Sequence, residues 1–203
     1  MEQTLLRGEQ VRLAAPNLEA DAETIASWSR NSEYTHMLQT GAPRLWTAPG
    51  VKADLGTWWY DEKTKDRVFP FAIRLLDGDR LIGLTDLEIN DWPQREAWLA
   101  IGIGARDDWG RGYGTDAMRV LMRFAFAELN LERLTLNVFA YNERAVRSYL
   151  KAGFVVEGRL RERLRRGDQR YDMIFMGVLR NDWLAQRQQA GPTGAAGAKE
   201  PSQ

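Results

Sequence analysis

The chain has 203 residues, 44% of them hydrophobic and 28% charged, which suits one folded domain and excludes a disordered composition. Its 28 Lys plus Arg balance its 28 Asp plus Glu, so no net field draws it to nucleic acid or to an anionic membrane; neither DNA nor a membrane is an expected partner. Zero cysteines exclude disulfides, thiolate nucleophiles and Cys-ligated metals, and the single histidine, His36, excludes paired-His zinc motifs, so no metal is expected.

Met1-Glu2-Gln3-Thr4 has neither the basic nor the apolar region of a signal peptide, and no apolar run approaches the ~18 residues of a membrane span. The expectation is a cytoplasmic protein with one domain over residues 1–189. Residues 190–203 hold no aromatic or branched aliphatic side chain and are expected to form a disordered tail.

In chain order, Leu6, Val11 and Leu13 alternate with polar residues and predict a strand over residues 4–14. Asn17 opens a helical pattern that carries Ile25 and Trp28. Gly41, Pro43, Pro49 and Gly50 argue for a long loop over 31–50, containing His36 as an ordinary loop or helix-end residue, before a short helix over 51–60. Three strands follow at 69–76, 81–89 and 96–104, joined by the turns Asp77-Gly78-Asp79 and Asp91-Trp92-Pro93, which predicts an antiparallel meander. From 112 to 130 the period changes: Ala117, Val120, Leu121, Phe124 and Ala125 form the stripe of a helix packed on a sheet. A strand at 134–139, a short helix at 142–152 stopped by Gly153, and strands at 154–164 and 171–179 complete a mixed α/β chain with one central crossover.

Chemistry concentrates where the third meander strand meets the long helix. In Trp109-Gly110-Arg111-Gly112-Tyr113-Gly114-Thr115 the glycines let the backbone turn sharply and approach a ligand, and the free N–H groups of the helix start face the turn. The loop is an anion cradle by its physics, although a tight packing turn has the same composition. It lacks the third glycine of a dinucleotide fingerprint and the Gly-Lys-Ser/Thr of a P-loop.

Gly112-x-Gly114 in this position resembles the pyrophosphate loop of the GNAT family of N-acetyltransferases. The run from Asn142 to Phe154, with Tyr149-x-x-x-Gly153-Phe154 at its end, is similar to that family's second signature, and the stretches 157–162 and 167–176 look like its RimJ/RimL-like branch. The resemblance spans about residues 8–185. It implies a mostly antiparallel sheet of about six or seven strands with about four helices, and acetyl-CoA as acyl donor. It also implies a primary-amine acceptor, either a small molecule or a protein N-terminus, and is compatible with a homodimer. By position, the cofactor residues are the loop Trp109, Gly110, Arg111, Gly112, Tyr113, Gly114 and Thr115, the preceding strand Ile101, Gly102 and Ile103, and Asn142 and Ser148. Tyr149 is placed to protonate the departing thiolate.

Two positions depart from the family pattern. The loop opens on Trp109, where Gln or Arg is usual, and Trp98 stands where many members carry a glutamate base. Glu96 on the same strand and Glu88 on the neighbouring strand, where Asp86, Glu88 and Asn90 share a face, are the candidate bases, beside a water relay with no dedicated base. Trp98 also supports a rival reading, a catalytically silent CoA-binding module for sensing or assembly. Arg159, Arg161, Arg163 and Arg165 alternate as one strand face, and with Arg166 and Arg170 they read as a solvated edge or as a surface for an acidic or RNA-rich partner. Trp46, Trp58 and Trp59 read as core or as an aromatic wall for the acceptor.

Overall fold

The structure, a computed structural model, describes residues 5–189. The tail expected at 190–203 lies outside the described residues. In chain order the elements are β1 (Val11–Ala14), α1 (Leu18–Trp28), α2 (Ser32–Leu38), α3 (Ala48–Tyr60), β2 (Val68–Leu75), β3 (Leu81–Asp91), β4 (Glu96–Ile103), α4 (Tyr113–Arg123), β5 (Arg133–Phe139), α5 (Glu143–Ala152), β6 (Val155–Arg166), β7 (Gln169–Leu179) and α6 (Arg180–Gln189). The seven strands form one sheet in the order β1-β2-β3-β4-β5-β7-β6, antiparallel throughout except for the parallel pair β4–β5. That pair is joined by the expected crossover through α4.

Local chemistry sets most boundaries. Asn17 caps α1 by accepting from the Ala20 N–H (3.2 Å), and Asn142 caps α5 by accepting from the Ala145 N–H (3.2 Å). Gly153, at φ 105°, ends α5 in a left-handed conformation that few side chains tolerate. The sheet buries both faces. Leu87, Ile89, Ala97 and Leu99 pack with Ala117 and Leu121 of α4, while Ala72 and Leu81 pack with Ile25, Trp28 and Val51 of the α1–α3 layer.

Several expectations are corrected. The strand predicted over 4–14 is broken: Arg7 bridges Arg12 and only Val11–Ala14 enters the sheet. The cause is long-range, because the Asp116 carboxylate in the first turn of α4 accepts from the N–H groups of Glu9 (3.1 Å), Gln10 (2.7 Å) and Val11 (3.0 Å) and folds the chain around itself. The loop predicted over 31–50 contains α2, capped by Asn31, and α3 starts at Ala48 because Pro49 sits in its first turn, where no N–H is required. The helix predicted to run to 130 relaxes into a π turn over Phe124–Glu128. With α2 and α6 added, six helices flank the sheet among the described residues, rather than about four.

Asp116 yields the first prediction. It is buried, and three N–H groups depend on its charge. Asp116→Ala is expected to lower the unfolding free energy by about 3 kcal/mol or more, measured as a fall in urea midpoint.

Candidate active site

β4 and β5 pair only at Glu96–Arg133, Ala97–Leu134 and Trp98–Thr135. Beyond Trp98 they part, and the wedge between them opens into a cleft of about 650 Å³. Gly104 donates its N–H to the Ile82 carbonyl (2.9 Å). Because pairing alternates along an antiparallel ladder, Gly102 and Ala100 also turn their main chains to β3, while Leu99, Ile101 and Ile103 turn theirs to the wedge. The Ile103 carbonyl is taken by the Trp109 indole N–H (2.8 Å), and Ile101 presents its N–H and C=O where no strand stands opposite. The three strand residues singled out by sequence therefore divide. Ile101 offers main-chain partners to an extended ligand, Ile103 anchors the loop, and Gly102 provides room: a Cβ there would stand 3.2 Å from the Tyr34 hydroxyl and 3.3 Å from Leu38.

The loop closes one end of the wedge. Gly110 (φ 76°) and Gly112 (φ 88°) hold left-handed conformations that bring the chain into α4 with Gly112 as its N-cap. No side chain caps that helix, so the N–H groups of Tyr113, Gly114 and Thr115 point out of its first turn. A Cβ on Gly110 would meet nothing within 4 Å, and one on Gly114 only Ile103 at 3.7 Å, so packing against the protein does not demand glycine at either. Asp108, the acidic neighbour, is neutralised by two hydrogen bonds from Arg80 (2.8 and 2.7 Å). Arg144, Arg147 and Lys151 line the same cleft, with the Arg144 guanidinium 3.9 Å above the Trp109 ring. Free helix N–H groups, open glycines and basic side chains fit the pyrophosphate of acetyl-CoA.

Tyr149 enters from α5. Burial pushes its hydroxyl up to about 12, against the nearby Arg144 charge. Its ring packs on Phe154 (centroids 6.2 Å apart), and its hydroxyl makes no hydrogen bond among the described residues. Ser148 meets Thr115 through a 2.7 Å hydroxyl contact that joins α5 to the cradle. Asn142 lines the cleft with its side-chain oxygen committed to the helix cap.

On the opposite wall stand the carboxylates of β3. Glu88 pairs across the sheet with Trp98, lies 3.9 Å from Arg67 and lines the cleft. Glu96 does not line it; it lies where β4 and β5 are still paired. Asp86, which sequence alternation grouped with Glu88 without assigning it a role, has the most distinctive surroundings. Trp59 of α3 donates its indole N–H to it (3.4 Å), and burial pushes its carboxyl up to about 6; the Glu88 charge adds to the rise, and hydrogen bonds from Trp59 and Trp58 oppose it. Asp86 also borders a second cavity of about 500 Å³, walled by Trp46, Val51, Leu55 and Trp59. Trp58 lines the first cleft and is 43% exposed, whereas Trp59 is buried.

A bulge between Leu160 and Leu164, with Glu162 at φ 52°, interrupts the ladder in the middle of the arginine run, while Arg159 and Arg165 on either side of it keep register partners, Ile174 and Arg170, on one sheet face. Arg159 pairs with Asp172 (3.0 Å) and Arg170 with the Glu162 carbonyl (3.1 Å). Arg166 turns inward and donates to the carbonyls of His36, Gln39 and Thr40, holding the end of α2 against the β6–β7 hairpin.

A family model described as the acetyltransferase (GNAT) domain matches residues 10–155. The spermidine N(1)-acetyltransferase of Escherichia coli (strain K12) is 30% identical over 167 residues, covering 79% of this chain and 87% of that protein. A putative ribosomal N-acetyltransferase, YdaF of Bacillus subtilis (strain 168), is 30% identical over 113 residues, 56% of this chain and 61% of that protein. The fold matches the crystal structure of spermidine N-acetyltransferase from Vibrio cholerae in complex with CoA and spermine, with a TM-score of 0.74 and 24% identity over 86% of this chain and 98% of that one. No helix among the described residues is long and apolar enough to cross a membrane.

Proposed function

The chain belongs to the GNAT acetyltransferase family, and from that premise we propose that it moves the acetyl group of acetyl-CoA directly to a small primary amine, polyamines being the first class to test. The observation that carries this is the wedge: a cationic cradle at one end, Tyr149 on one wall and the carboxylates Asp86 and Glu88 on the other. Two substrates held together there react without a covalent acyl-enzyme, and a chain with no cysteine suits that route.

Acetyl-CoA, when bound, supplies an acyl carbonyl activated as a thioester. The N–H groups of Tyr113, Gly114 and Thr115 hold its pyrophosphate, with Arg144, Arg147 and Lys151 balancing charge, and the Ile101 main chain pairs with the extended arm. Tyr149 donates its proton to sulfur as the C–S bond breaks. A hydroxyl pushed up to about 12 is protonated throughout the working pH range, as a donor must be. The polyamine preference is supported by the spermidine acetyltransferase relatives and by Asp54, Asp86 and Glu88 around the acceptor side. Acetylation of protein N-termini, as in the RimJ/RimL-like branch, is the rival acceptor class.

The test is amine-dependent release of coenzyme A across spermidine, putrescine, phenethylamine and a short peptide with a free N-terminus. Thiol detection meets no background from this cysteine-free chain. Turnover with spermidine above the peptide is expected. Acetyl-CoA binding with no turnover on any amine contradicts the proposal and favours a silent CoA-binding module.

A further inference from the structure

We propose that Asp86 is the general base of the reaction, the group that takes the proton from the acceptor amine; this rests on the acetyltransferase reading above. Two carboxylates of β3 line the cleft, and the sheet register separates them. Asp86 lies opposite Ala100, whose small, exposed side chain leaves the carboxylate a path to the wedge. Glu88 lies opposite Trp98, an indole packed edge-on against Phe175 (centroids 6.0 Å apart), and has Arg67 beside it.

Asp86 also stands where the two cavities meet. Together with Ala100, Ile101 and Gly102 it borders both the cleft and the second cavity. An amine whose tail lies along Trp46, Leu55 and Trp59 thus brings its nitrogen past Asp86 on the way to Ile101 and the wedge. The carboxylate is held in aim: Trp59 is buried and donates to its Oδ2.

Charged and titratable groups from several elements share the two cavities that Asp86 borders. On its own sheet face there is Glu88, with Arg67 behind it; from α3 comes Asp54; from the loop before α3, Arg44; and from α2, Tyr34. Across the cleft α5 presents Arg144, Arg147, Tyr149 and Lys151. Burial outweighs the hydrogen bonds from the tryptophans and pushes the carboxyl up to about 6, a value suited to a base that is ionised at neutral pH and still accepts a proton readily.

The step balances as follows. Asp86 takes one proton from the ammonium form, and the freed lone pair forms the C–N bond at the acyl carbon. The C–S bond breaks with its electron pair on sulfur, and Tyr149 supplies the proton that makes the thiol. The second proton shed by nitrogen passes to the phenolate left on Tyr149, and Asp86 returns its own to water. The net release is one proton for each ammonium acetylated.

The experiment is a kcat–pH profile, at saturating acetyl-CoA and saturating amine, for wild type, Asp86→Asn and Trp59→Phe, using the best amine of the panel above. Wild-type kcat is expected to fall as pH drops through about 6. Asp86→Asn should lose that acid limb and about a hundredfold in kcat at pH 8, while melting no lower than wild type there, since it removes a buried charge, and keeping its acetyl-CoA affinity. Trp59→Phe removes a hydrogen bond that favours the ionised carboxylate, so its acid limb should move to higher pH than in wild type. An active wild type whose Asp86→Asn stays within a few-fold of it and keeps the same limb overturns the assignment alone. A wild type silent toward every amine overturns the acetyltransferase reading, and this assignment with it.

Discussion

Tyr149→Phe is expected to cut kcat about a hundredfold or more while leaving acetyl-CoA affinity and thermal midpoint near wild type. The hydroxyl has no hydrogen-bond partner among the described residues, so its loss breaks nothing in the fold, and the ring contact with Phe154 survives the substitution. What disappears is the proton supplied to the leaving sulfur. Because burial raises the phenol to about 12, the wild type should also show no alkaline fall in kcat due to Tyr149 below about pH 10. Steady-state kinetics beside acetyl-CoA titration separates the two parameters. A variant that keeps wild-type kcat removes Tyr149 from the chemistry.

Gly114→Leu should abolish acetyl-CoA binding without harming the fold. A Cβ at this position meets only Ile103, at an ordinary 3.7 Å, and leucine is the better helix former by about 0.8 kcal/mol. The new side chain fills the space in front of the first-turn N–H groups, where the pyrophosphate is proposed to lie. Saturating acetyl-CoA at about 100 times its dissociation constant should stabilise the wild type by ~2.7 kcal/mol, and the variant not at all. Gly112 is a poorer probe because its φ of 88° makes any side chain strained, so that folding and binding fail together. An undiminished melting shift in Gly114→Leu contradicts the cradle.

Much of this was legible in the sequence because it is locally encoded. The Asn17 and Asn142 caps, the Gly153 stop, the turn at Gly78 and Asp79, and the glycine cradle each depend on residues close in the chain. What stayed hidden depends on distant partners. The break in the first predicted strand is set by Asp116, more than a hundred residues away. Asp86 and Glu88 look equivalent on an alternating strand. Trp59 from α3, Arg67 beside Glu88 and the opposing residues Ala100 and Trp98 distinguish them. The arginine alternation at 159–165 predicts an unbroken strand, and the bulge at Glu162 interrupts its ladder. Arg166, grouped by sequence with the surface arginines, instead holds α2 through backbone carbonyls that no local pattern announces.

The most direct test of the acetyltransferase chemistry is mass spectrometry of spermidine and the other panel amines after incubation with the chain and acetyl-CoA, beside Tyr149→Phe and an enzyme-free control. The expected result is an amine carrying one added acetyl group, formed with an equal amount of free coenzyme A and strongly reduced in the variant. The contradicting result is a folded chain that binds acetyl-CoA yet leaves every amine at its starting mass.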